Sequence, residues 1–403
     1  MTSRAPTSSD SPLREPPDFS FVLGGPLFQL IRRAGLADDD LMLVRRRIVA
    51  IALFCWLPLL VLTALGGELL GGGAAVPFLK DIEVHVKFLL AVPLLIAAEL
   101  VVHRRIRNVV QQFVERRLIP ESGMARFDSA IAAAFRLRNS VLAEVLMIAF
   151  VYVVGILVVW RQYMALDAAT WYATPSAAGP RLSLAGMWYG YVSVPVFQFL
   201  LLRWYFRIAV WARFLWQVSR IELSLVPTHP DRLGGLGFLA NTAHAFSLLA
   251  AAHGAILAGP LANRIFYLGA RLPEFKVEIA AVVVFLLCLV LGPLLVFGRQ
   301  LFLAKLKGRR EYGALAQRYV REFDAKWLRG GAPADEPLVG SGDVQSLADM
   351  GSGYELVQNM RTVLVTKDAV IQVVAATLAP VVPLLLTMMP LEDLLKKLFG
   401  ILF

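Results

Sequence analysis

The stretch IVAIALFCWLPLLVLTAL, Ile48 to Leu65, runs for 18 residues without a charge directly behind Arg45, Arg46 and Arg47. A run of that length and composition meets the criterion for a helix that crosses a bilayer, whose apolar core takes about 20 residues to span. Uncharged runs recur at Leu182 to Leu202, Ile279 to Gly298 and Ala369 to Leu391, and a longer one of 31 residues covers Leu233 to Asn263. That longest run is expected to break or turn at Gly254 or at Gly259 and Pro260. Two further runs are interrupted: Val84 to Val102 carries His85, Lys87 and Glu99, and Ser140 to Trp160 carries Glu144. Both still read as spans, because charges near a helix end reach the headgroup layer at modest cost. The expectation is an all-α, polytopic transmembrane bundle of about seven spans. Its 58% hydrophobic content exceeds the roughly 45–50% of a soluble domain.

Lys and Arg between the spans alternate in density. Residues 1–47, 103–139, 203–235 and 299–368 hold 7, 8, 5 and 11 of them, 31 in all, against 6 in the opposite loops. The positive-inside rule places the 31, and the N-terminus, in the cytoplasm of a bacterial inner membrane. The net charge of +10 then reflects topology and attraction to anionic lipid headgroups, and no nucleic-acid partner is needed to explain it. Seven spans put the C-terminus outside, where Leu391 to Phe403 reads as an amphipathic tail at the interface. The first 20 residues, rich in Ser, Pro and Asp, read as a disordered lead, with the first span as the insertion signal.

The organisation expected is a cytoplasmic lead over 1–47, a six-span bundle over 48–298, a cytoplasmic helical segment over 299–368, and a seventh span with tail over 369–403. The second span is expected to continue as a helix through Arg104, Arg105 and Arg107 until Pro120 ends it. Within 299–368, Tyr312, Leu315, Tyr319, Phe323 and Trp327 recur at helical spacing, a loop follows at Gly330 to Gly342, and a second helix is expected over Asp343 to Met360. Two helices are too little for an independent catalytic domain, so they are expected to pack on each other or on a second subunit of a homo-oligomer. Cys55 and Cys288 both fall inside apolar runs and read as small buried hydrophobes, with no disulfide or metal role.

Candidate site residues cluster in three places. The string Pro227 to Phe238, PTHPDRLGGLGF, pairs rigid prolines with Asp231 as a helix cap and with Gly234 and Gly235 among its bare backbone. It reads first as a helix-start device. The sharper reading is an anion or lipid-phosphate site made of uncovered amides with His229 and Arg232 beside them. In the fifth span, Asn241, His244 and Ser247 step by three, each about 60° round a helix from the one before, where they can line a polar pathway. His244 alone reads first as an interhelical hydrogen-bond partner. The third place is a polar layer at the cytoplasmic face, formed by Glu99, His103, Glu144 and Arg203 together with His229 and Asp231. There Glu99 and Glu144 either pair with Arg104, Arg138 or Arg203 or act in function. His253 lies nine residues from His244, half a revolution away, so no shared metal site and no cofactor is expected.

The three letters His229, Pro230 and Asp231 match the signature of J-domain cochaperones, yet an apolar run of bilayer length follows at once, which such a domain excludes. No phosphate-binding loop, zinc-hydrolase helix or nucleophile elbow is present, and no enzyme is expected. The strings Thr228 to Phe238 and Ala379 to Leu395 resemble stretches of proteobacterial polytopic inner-membrane proteins. That likeness implies a bacterial inner membrane and carries no activity. The function expected is a pathway or pocket for a small ion or solute, as in a channel or transporter. The competing expectation is a membrane-anchored sensor or assembly factor whose 299–368 segment binds a partner.

Overall fold

The computed structural model describes residues 43–71, 76–160, 170–174 and 181–387, together with Gly24 and Gln29. It is built almost wholly of helices. Five of them are long and apolar enough to cross a bilayer: α1 (Val44–Leu65), α2 (Ile82–Glu115), α5 (Leu184–Val218), α6 (Gly237–Leu268) and α7 (Leu272–Leu328). A sixth crossing is available if α3 (Glu121–Arg138) and α4 (Val141–Gly155), which meet at a bend of 46°, count as one. The bend falls where Ser140 leaves the helix and caps its successor, its Oγ accepting from Ala143 N at 3.2 Å. A two-residue hairpin, β1 (Ala173–Thr174) with β2 (Arg181–Leu182), precedes α5. Two shorter helices, α8 (Gly342–Gln358) and α9 (Lys367–Leu378), follow α7.

Helix α1 shows why these segments need hydrocarbon around them. Its buried residues Cys55, Leu59 and Thr63 follow one stripe, while Val49, Leu53, Leu57 and Val61 follow another and are all exposed. In water the second stripe would be polar. Helix α6 is the centre of the bundle: 67% of its span is buried, against 22% for α1 and for α7. Its small residues allow that. A Cβ added at Gly254 would stand 1.9 Å from the carbonyl oxygen of Thr377, so α6 and α9 meet backbone to backbone, as small residues permit in membrane helices.

Several boundaries differ from the sequence expectation for local reasons. Helix α2 ends at Glu115, before Pro120, because Arg117 turns into the left-handed region (φ 52°). Its 34 residues are roughly 50 Å long, well beyond the roughly 30 Å hydrocarbon core. Neither Gly254 nor Pro260 breaks α6; the irregularity lies earlier, at the 3₁₀ segment Asn241–Phe246. Over 369–391 no continuous crossing helix forms among the described residues. Helix α9 stops at Leu378, the chain turns at 379–381 beside Pro380, and a 3₁₀ segment runs over Val382–Thr387. The C-terminal tail and nearly all of the 1–47 lead lie outside the described residues. Cys55 is buried, but Cys288 is exposed on the apolar surface of α7.

Beyond the bilayer-length part, α7 continues past Arg299 and packs against α8. Tyr319 Oη donates to Asp343 O at 3.0 Å, and Trp327 Nε1 donates to Asp343 Oδ2 at 2.9 Å. Lys326 Nζ reaches Glu336 and Asp343 at 2.6 and 2.8 Å. The two helices of this segment therefore pack on each other.

Candidate functional site

The Pro227–Gly237 string folds around the carboxylate of Asp231. Oδ1 accepts from Leu233 N at 2.7 Å and Gly235 N at 3.2 Å, Oδ2 accepts from Gly237 N at 2.8 Å, and His229 Nδ1 lies 2.9 Å from Oδ1. One side chain thus ties six residues of backbone, and the chain needs left-handed conformations to wrap it: φ is +57° at Arg232, +64° at Gly234 and +98° at Gly235. Partial burial alone would raise the Asp231 carboxyl. The amides of Leu233, Gly237 and Gly235, with His229 beside them, outweigh that and hold it below the ordinary carboxylate range. The amides read from the sequence as open to an anion are already bonded to Asp231, so the loop closes on its own carboxylate, while the N-cap position of the helical turn Gly237–Ala240 falls to Leu236, not to Asp231. Arg232 is exposed, and its carbonyl accepts from Arg361 N at 2.7 Å.

Two distant segments close around this loop. Arg116, at the end of α2, approaches Gly235 O at 3.5 Å and stacks over the Phe238 ring at 5.1 Å. Arg105, Asn108, Gln112 and Arg116 fall on one stripe of α2. With Arg361 and Thr366 from the α8–α9 connection, and with Asp231 and Asn241, they line a cleft of about 600 Å³. That size is typical of a small-molecule pocket.

From the cleft a line of polar groups enters the bundle. Because Asn241–Phe246 is a 3₁₀ helix, residues three apart eclipse, and Asn241, His244 and Ser247 stack on one side more closely than in an α-helix. Ser247 Oγ donates to His244 O at 3.1 Å and accepts from Gln372 Nε2 of α9 at 2.8 Å. Gln372 was not among the residues read from the sequence; a lone Gln in an apolar run 125 residues from its partner gives no local signal. Two helical turns further in, the Gly254–Thr377 backbone contact seals the seam between α6 and α9. His253 points elsewhere, its Nε2 2.9 Å from Tyr205 Oη and its Nδ1 2.8 Å from Leu249 O.

The charged residues in the spans form a second, separate centre. Glu99 of α2 is held by Arg207 Nη1 on Oε1 at 2.6 Å and by Arg47 on Oε2, with all three side chains buried. Arg203, one turn from Arg207, lies within electrostatic reach of both Glu99 and Glu144. Of the partners expected for Glu99, the structure supplies Arg203 at longer range and in place of Arg104 and Arg138 brings in Arg47 and Arg207. His103 is buried one turn beyond Glu99. Glu99, Glu144 and Arg203 therefore do assemble, but His229 and Asp231 do not join them. Their loop meets α2 at Arg116, 17 residues further along, which is roughly 25 Å on a helix. The single polar layer of the sequence reading is two centres at two levels.

At the opposite end of the bundle, Asp81 accepts from Trp171 Nε1 at 2.9 Å and Asn263 Nδ2 at 2.8 Å, and Trp56 Nε1 donates to His85 Nδ1 at 2.9 Å. These bonds pin the start of α2 to α1, to α6 and to the residue 170–174 segment. Among the described residues no group of three or more His, Cys, Asp or Glu is placed to hold a metal ion. No protein-family model, no curated protein and no solved structure matches this chain.

Proposed function

We propose that the chain is a multi-pass protein of the bacterial inner membrane that takes a small polar solute or ion into a pocket from its cytoplasmic, arginine-rich side, as a transporter or channel. The observation that carries this reading is the continuity between the cleft and a half-buried polar line: Asn241 lines the cleft, and His244, Ser247 and Gln372 extend from it between α6 and α9. Discontinuous helices of this kind are how membrane proteins offer polar groups to a solute at depth. The backbone contact at Gly254 favours a pocket closed on one side over an open pore.

The competing reading, a sensor or assembly factor with a partner site around Tyr319, Phe323 and Trp327, has less support. Those residues are half-buried against α8. Leu315, Val320 and Leu328 remain exposed on α7 and are the surface a second copy would cover in a homo-oligomer.

Proteoliposomes loaded with potassium, chloride or phosphate test the proposal. His244→Ala and Gln372→Ala are expected to lower efflux of the conducted ion about tenfold, the loss of one well-placed polar contact, while eluting as the wild type does in size-exclusion chromatography. Efflux equal to that of empty liposomes for every ion, or unchanged by both substitutions, contradicts it.

A further inference from the structure

We infer that the cleft beside the Asp231 loop binds a phosphate monoester. The inference rests on the reading of this cleft as the entry for a solute, but binding is measurable apart from flux.

Three arginines line the cleft, Arg105 and Arg116 from α2 and Arg361 from the α8–α9 connection, against one carboxylate, Asp231. That carboxylate is spent on three backbone amides and His229. The cleft thus holds an excess of two positive charges. A phosphate monoester carries about −1.5 to −2 at neutral pH and so matches this excess, which a single carboxylate at −1 does not. Guanidinium forks match phosphate oxygens two at a time, which a lysine-lined surface does not. At about 600 Å³ the cleft is far larger than a phosphate ion, so the phosphate is one end of a larger molecule. The amides of Asn108, Gln112 and Asn241 are the groups left to meet the rest of it.

The placement of Arg361 adds a second argument. Its backbone N–H holds the carbonyl of Arg232 at 2.7 Å, which fixes the residue against the loop without using the guanidinium. Its side chain is therefore positioned at the cleft by main-chain bonding that a substitution leaves intact. Arg116 differs, since its guanidinium also serves Gly235 O and Phe238.

Two sources share this chemistry, a soluble ester and a lipid headgroup. Full-length protein in phosphatidylcholine nanodiscs is titrated with glycerol 3-phosphate by calorimetry. In a second arm, protein exposed to phosphatidic acid is delipidated, and retained lipid is counted by native mass spectrometry. The wild type is expected to bind in at least one arm, and R105Q and R361Q are each expected to weaken that binding about tenfold. R104Q, exposed on α2 outside the cleft, is expected to leave it unchanged. Binding of the soluble ester alone assigns the site to a solute, retention of the lipid alone assigns it to a headgroup, and either upholds the inference. Absence of binding in both arms, or equal loss in R104Q, overturns it. A protein that binds and shows no flux keeps this site and removes the transport reading; flux without binding does the reverse.

Discussion

Replacing Glu99 by Ala is expected to cost about 3–5 kcal/mol, the loss that follows when one member of a buried ion cluster is removed and its partners stay charged. Two guanidiniums, those of Arg47 and Arg207, close on this one carboxylate, and all three side chains are buried. Such a loss is comparable to the whole margin of stability of many domains. The variant should accumulate poorly and melt far below the wild type in a detergent thermal-shift assay. The cost comes from orphaned charge, not from lost packing, and a combined variant separates the two. Arg47→Met, Glu99→Leu and Arg207→Met together should recover most of the stability, because replacing a whole buried cluster by apolar groups of similar volume is near neutral. A wild-type melting temperature for Glu99→Ala would show that the cluster holds nothing together.

The second large effect is expected at Asp231. Asp231→Ala strips the acceptor from the amides of Leu233, Gly235 and Gly237, two of which belong to buried residues. Unpaired buried donors cost about 1–3 kcal/mol each, so a loss of about 3 kcal/mol is expected. Asp231→Asn keeps an oxygen for Leu233 and Gly235 but turns an amide donor towards Gly237, and should lie between the two. The pH dependence has a definite sign. The folded carboxyl sits below its ordinary value, so its contribution is full above about pH 3.9, the unfolded pKa, and is lost as pH falls through the lower folded value. The wild type should lose this part of its stability below that pH, and Asp231→Ala should not. Urea titrations of the two proteins across acidic pH check the difference. Parallel curves would remove Asp231 as the loop's anchor.

The spans were legible because hydrocarbon imposes a simple rule on composition: a helix such as Val44–Leu65 must be apolar on both faces. Asp231 was legible as the anchor of its loop because an Asp side chain bonds the backbone amides just ahead of it. The partners of Glu99 were not. Local spacing suggested Arg104, Arg138 and Arg203, whereas the bonded arginines lie 52 and 108 residues away, a matter of how helices pack. The cleft was hidden for the same reason, since Arg361 meets the Asp231 loop only through folding. Composition alone reads 369–391 as one uncharged run, and the prolines from Pro380 to Pro390 are what mark its interruption. Helix α9 accordingly stops after 12 residues, at Leu378, two before Pro380.

Everything proposed about solute entry depends on which side of the membrane holds the arginine-rich end. In a protein with Cys55 and Cys288 replaced, single cysteines at Val320, on the exposed extension of α7, and at Leu268, at the other end of α6, report both sides. A membrane-impermeant maleimide should label the cysteine at 320 only in inverted vesicles and the one at 268 only in right-side-out vesicles. Labelling of position 320 from the periplasmic side, or of both positions from the same side, would contradict the account.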